Sequence, residues 1–285
     1  MKKKILAIGA HADDIELSFG ATLLKYRKAC GYEIGYVMAT DNASGEISSY
    51  DAKGKLRTVL PPAAQMQPIR QSEANAAARE VFGTEAIHLN YPQRHYTDES
   101  GTKVELRYNV PGMNVKAESV PSIITAYEDN AAVAQLRDLM LDFDPEVIIT
   151  MNISDTNPEH LCTTLLVLAA FRGAQAQGLD ATLLHSLPPA PFAIGSYFNA
   201  GDTFVDTTGY FQEKLNAIGY HRSQKPEPAR LDLRDFDEGA RFGCETAERF
   251  VVGTLSRYRT GPLTVEIRKN HRICLEMPLW KLLHR

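Results

Sequence analysis

Cysteine is scarce and scattered. Cys30, Cys162, Cys244 and Cys274 are the only four in 285 residues. With no Cys-x-x-Cys pair for a zinc knuckle or a redox motif, the chain reads as one with buried, reduced thiols in a cytoplasmic setting. Positive charge is also not in excess: 31 Lys and Arg against 35 Asp and Glu give a formal net charge of −4. That leaves no overall basic field for nucleic acid or an anionic membrane and points to small-molecule partners. No stretch approaches the ~20 consecutive apolar residues of a membrane-spanning helix. The opening MKKK has the charge of a signal-peptide n-region, but ILAIGA meets His11 and two aspartates before h-region length is reached, so no secretion signal is read. Gly-x-Gly-x-x-Gly is missing after the first apolar run, and so is a Gly-x-Ser-x-Gly elbow. These absences argue against a dinucleotide oxidoreductase and a serine hydrolase.

What the chain does have is apolar content of 44%, enough for a well-buried core. KKILAIGA reads as a buried strand, and IELSFGATLLKYRKAC as a helix with Gly31 available to end it. EIGYVMAT is a second strand, followed by DNASGEISS as a loop. IRQSEANAAAREVFG is an Ala-rich helix closed by Gly83, and AIHLNY is a strand; AVAQLRDLMLDF and PEVIITMN are a further helix and strand. This alternation predicts an α/β fold, a Rossmann-like and mostly parallel sheet with helices on both faces, as one domain over residues 1–285. Residues 94–130 form a long insertion or lid that holds a hairpin around TKVELRY, and residues 254–285 a C-terminal hairpin or arm. Both offer interface material for a homo-oligomer.

The stretch AIGAHADDIELSFGAT, residues 7–22, carries the chemistry. Ligands of open parallel sheets bind beyond the carboxyl ends of the strands, where His11, Asp13 and Asp14 stand. If the helix begins near Asp13, His11 and Asp14 converge across the turn with Asp13 beside them. Imidazole nitrogen and carboxylate oxygen are normal zinc donors, and a catalytic zinc takes three protein ligands and keeps one open position. His160 in TMNISDTNPEHLCTTLL supplies the third, again just after a strand and opening a helix. Either aspartate alone reads as an ordinary helix cap. The two equivalent strand ends together favour the metal.

These residues resemble the His-Pro-Asp-Asp signature of the LmbE-like, or PIG-L, family of zinc-dependent N-acetylglucosaminyl deacetylases. MATDNASGE resembles that family's Thr-Asp-Gly loop, IRQSEANAAAREVFG its Arg-x-x-Glu helix, DPEVIITMNISDTNPEH its strand and His-Pro-Asp-His motif, and KLNAIGYHRSQ its late His-x-Ser-Gln segment. The resemblance spans roughly residues 4–252 in the family's order. It implies zinc held by His11, Asp14 and His160, with iron or another divalent ion also suited to the set. It further implies Asp13 as general base on the metal-activated water, attack on an amide, and release of acetate from an N-acylated amino sugar or conjugate. Arg70, Gln93 and Asp155 are the candidate substrate contacts.

Two departures stand out. Ala12 replaces the usual proline, which alters turn rigidity more than chemistry. Asn157 stands where the family has a histidine assigned to the oxyanion or the leaving amine; an amide donates a hydrogen bond but delivers no proton at neutral pH. Asn157 and His221 are therefore the candidate catalytic residues beside Asp13, with Asp13 acting as base and then acid as the simplest alternative. A non-catalytic zinc- and carbohydrate-binding relative of the deacetylases is the competing expectation. His88, His95, His185, His271 and His284 read as structural or surface residues.

Overall fold

The computed structural model describes residues 3–105, 122–153, 155–187, 203–231 and 233–252. In chain order the elements are β1 (Lys4–Gly9), α1 (Asp14–Cys30), β2 (Glu33–Thr40), β3 (Ile47–Tyr50), β4 (Leu56–Val59), α2 (Ala63–Ala77), β5 (Ala86–Tyr91), β6 (His95–Thr97) and β7 (Lys103–Glu105). There follow α3 (Asn130–Phe143), β8 (Val147–Thr150), α4 (Pro158–Ala176), β9 (Thr182–Ser186), β10 (Thr203–Asp206), α5 (Phe211–Ile218), α6 (Asp235–Phe242) and β11 (Ala247–Val252). Seven strands form one sheet in the order β10-β11-β9-β8-β1-β2-β5. The pairs from β9 to β5 are parallel, and β11 pairs antiparallel with both β9 and β10.

From Ile5 onward β1 is apolar because both of its faces are covered. Ile5 and Ala7 join Phe19, Leu23 and Leu24 of α1 and Ala74 of α2 on one face; Leu6 and Ile8 join Leu136 and Met140 of α3 and Leu166 and Ala170 of α4 on the other. Gly31 ends α1 at φ 70°, and its N–H bonds back to the Tyr26 carbonyl, the left-handed cap that a missing Cβ makes inexpensive.

The structure adds detail to the expected elements. The reading of DNASGEISS as loop holds only to residue 46: residues 47–50 pair with 56–59 as an antiparallel hairpin whose second strand is fully exposed and so lacks any burial pattern to mark it. α2 begins before Pro68, which sits within it; the bond the proline gives up would go to Ala64, on the exposed side where water serves. A π-turn over Ala78–Phe82 then runs into Gly83. The hairpin expected near TKVELRY is β6–β7. Residues 106–121 of the 94–130 connection and all of the 254–285 tail lie outside the described residues. Among the described residues no helix is long and apolar enough to cross a membrane.

Candidate metal centre

From β1 the chain goes outward through β2 to β5 and then returns to β8 on the other flank of β1. The carboxyl ends of β1 and β8 therefore flank a switch point, where diverging loops open a crevice. His11, Asp13 and Asp14 follow β1, and His160 lies in the first turn of α4 after β8. The turn between β1 and α1 is closed by the Asp14 N–H on the His11 carbonyl (3.2 Å) and by the His11 N–H on Asp14 Oδ2 (2.6 Å). Asp13 holds φ 114° and ψ −20°, a conformation that costs about 1–3 kcal/mol in a non-glycine residue and is found where a site fixes it.

One donor atom from each of His11, Asp14 and His160 lies within 4.8 Å of the other two. Nδ1 of His11 is 3.1 Å from Nε2 of His160 and 3.3 Å from Asp14 Oδ2, while Nε2 of His160 is 3.3 Å from Asp14 Oδ1. The outer nitrogens are both engaged by carboxylates: Nε2 of His11 by Glu159 Oε2 at 2.6 Å, and Nδ1 of His160 by Asp155 Oδ2 at 2.8 Å. Each imidazole thus donates outward and presents its other nitrogen to the shared point, the orientation a metal-ligating histidine takes.

Electrostatics agree with a cation there. Burial opposes charge on His160, but Asp14 and Asp155 override it and raise the imidazole to about 10. Burial likewise disfavours ionised Glu159, yet hydrogen bonds from His11, Arg94 and Gln93 hold it down at about 2. Asp14 is held well below the usual carboxylate range by the two histidines, against its own burial. A His, His, Asp donor set with this carboxylate surround fits a divalent ion, and the donor types suit zinc or iron.

The other expected residues group around this point. Arg70 is buried, with Nη1 donating to the Ser44 carbonyl (3.0 Å), Nη2 to the Ala12 carbonyl (2.9 Å), and Nη2 3.4 Å from Asp13 Oδ1. Gly45, at φ 125°, lets the loop pass this guanidinium; a Cβ there would lie 3.3 Å from Nη1. Gln93 accepts from the Ser44 N–H (2.7 Å) and donates to Glu159 (3.1 Å), so it braces the loop after β2 against α4. Asp155, expected among the substrate contacts, stands behind His160 and takes the Asn157 N–H as well (2.8 Å). Asn157 caps α4, its Oδ1 accepting from the Glu159 N–H at 3.0 Å, with Pro158 at the first helical position. His221 lies in the turn after α5 rather than on a helix, and Nε2 is 3.1 Å from Glu16 Oε2 with both side chains fully buried. His88 bonds Asn75 and His185 bonds the Met151 carbonyl.

Two residues escaped the sequence reading. Glu159 is one; an acidic residue in the first turn of a helix reads as a dipole-favoured position, and only its place directly before His160 hinted at more. Lys225 is the other, with Nζ 3.4 Å from Asp13 Oδ2, on a segment far along the chain with no spacing to mark it.

A profile of the PIG-L family, described as GlcNAc-PI de-N-acetylase, matches residues 6–171, a span that includes every donor named above. A diacetylchitobiose deacetylase of Thermococcus kodakarensis is 24% identical over 232 residues, covering 79% of this chain and 71% of that protein. Among solved structures, the N,N'-diacetylchitobiose deacetylase of Pyrococcus horikoshii superposes with a TM-score of 0.63 at 20% identity, covering 92% of this chain and 88% of the other. The 4-carboxy-2-hydroxymuconate hydratase of Pseudomonas putida superposes at 0.60 and 19% identity, covering 87% and 95%. One architecture therefore serves both a deacetylase and a hydratase, and the reaction has to be argued from the site.

Proposed function

The chain belongs to the PIG-L family of GlcNAc-PI de-N-acetylases, and from that premise we propose that it is a metal-dependent N-deacylase removing an acyl group, foremost acetyl, from the nitrogen of an amino sugar or sugar conjugate. The observation that carries the reading is the meeting of His11, Asp14 and His160 at one point, with Asp13 next to Asp14 in the turn that brings them there. His11, Asp14 and His160 would hold the ion. Bound there, a divalent ion lowers the pKa of a water and polarises the amide carbonyl.

The chain's own groups do the remaining work. Asp13 takes the proton of the attacking water, its carboxylate steadied by Arg70 at 3.4 Å. Arg70 is tied to two backbone carbonyls, so it orients Asp13 without turning toward solvent. Glu159 and Asp155 each engage the outer nitrogen of one imidazole, which turns the other nitrogen of His11 and of His160 toward the shared point. Asp155→Ala is accordingly expected to weaken zinc binding about 10–100-fold, read by competition with a chromogenic chelator.

The purified full chain is expected to bind about one zinc or iron per chain and to release primary amine, detected with fluorescamine, from members of a panel of N-acylated amino sugars. Chelation removes the activity, and zinc and iron are restored separately to identify the working ion. Sugar binding without amine release across the panel would overturn the reading and leave a binding protein.

A further inference from the structure

A deacylase must hand a proton to the departing nitrogen, and besides Asp13 returning the proton it takes from water, the site residues expected from the sequence offer no donor. Asn157 has no acidic proton, and its carbonyl oxygen is spent on the cap of α4. His221 is fully buried against Glu16 beneath the site. The Arg70 guanidinium is buried, committed to two carbonyls, and does not give up protons.

We propose that Lys225 is the proton donor to the leaving amine, an inference that rests on the deacylase reading above. Its Nζ lies 3.4 Å from Asp13 Oδ2, so it adjoins the base, and its side chain stays 27% exposed. The turn that carries it is firmly held. The Lys225 N–H donates to the His221 carbonyl (2.7 Å) and the Gln224 N–H to the same oxygen (3.1 Å). Ser223 gives its N–H and hydroxyl to Glu73 at 2.8 and 2.6 Å, and the Gln224 amide donates to the Glu46 carbonyl. Buried His221 and Glu16 pin the start of the turn. Such bracing is what a group needs if it is to stay aimed at a reacting atom.

The proton account closes within this pair. Water gives a proton to Asp13 as its oxygen forms a bond to the acyl carbon and the carbonyl π pair moves onto oxygen. That pair then re-forms the carbonyl, the C–N pair leaves with nitrogen, and nitrogen takes a proton from the Lys225 ammonium. Asp13 returns its proton to Lys225. Amide and water become carboxylic acid and amine, and both side chains end as they began.

The test uses the metal-loaded full chain with N-acetylglucosamine and N,N'-diacetylchitobiose as probes. Lys225→Ala is expected to lower kcat about 10²–10⁴-fold with little change in KM, the loss typical of a positioned acid. Metal content and thermal midpoint stay those of the parent. Lys225→Arg keeps the charge but not the acid, so it stays as impaired as Lys225→Ala, whereas added ethylammonium restores part of the Lys225→Ala turnover. If Lys225→Ala stays within about threefold of the parent kcat, short of that range, or if Lys225→Arg restores turnover, the proposal is overturned and the lysine only steadies the charge of Asp13. If the parent itself releases no amine from either probe, the deacylase reading fails for these sugars and this proposal with it, an outcome distinct from a parent that turns over beside an unimpaired variant.

Discussion

Asp13→Asn is expected to keep its metal and to lose turnover by about 10²–10⁴-fold, the range associated with a positioned general base. The substitution is chosen on structural grounds. Asn is one of the few residues besides glycine that accepts a positive φ, so the strained turn at φ 114° is retained. The donors of His11, Asp14 and His160 are untouched, and only the negative charge that accepts a proton is gone. The measurement is paired: metal per chain by elemental analysis, and amine release on the same sample. Turnover close to that of the parent would place the base elsewhere. His160→Ala should fail differently, losing the ion and the activity together, because it removes one of three donors.

Lys214→Met is expected to destabilise the fold by about 3–5 kcal/mol, the penalty for stripping one partner from a buried ionic cluster. Lys214 is 1% exposed, with Nζ 2.8 and 3.1 Å from the two Asp235 oxygens and 2.7 Å from Glu248 Oε1. Glu248 also accepts from the N–H groups of Ala21 (3.2 Å) and Thr22 (2.7 Å). Those donors fall just past the point where α1 leaves helical geometry at Phe19 (φ −153°, ψ 22°), so a carboxylate from β11 satisfies backbone groups that the break leaves without helical partners. Burial raises Glu248, and Lys214 partly counters it. Without the ammonium, two carboxylates remain buried with no cation between them. A urea titration reads the loss as a lower midpoint with an unchanged slope. The double variant Lys214→Met with Glu248→Gln should recover part of it, since one orphaned charge is removed with its partner.

Much of the arrangement near β1 was legible in the residues. KKILAIGA is apolar on both pleat faces because the strand is covered twice, and IELSFGATLLKYRKAC carries its own stop in Gly31. The placing of His11 and Asp14 at one strand end and His160 at another follows from local signals alone. What stayed hidden is of another kind. Glu159 and Asp155 look like helix-start residues until the rings they face are known. Lys225 gains its meaning from a turn after α5 that is anchored by Glu73, a residue 150 positions away. The β3–β4 hairpin is exposed along its second strand and so leaves no hydrophobic trace, and nothing in AERFVV tells that β11 runs antiparallel between β9 and β10.

Sequence alone determined the alternation of strands and helices and the position of the candidate side chains at the carboxyl ends of strands, because hydrophobic period and turn chemistry act over a few neighbouring residues. Only the tertiary structure decided which strands became neighbours, which carboxylates stand behind which imidazoles, and that a lysine from the far part of the chain reaches Asp13. Those outcomes depend on contacts between segments distant in the chain, whose energies appear only once the sheet has formed.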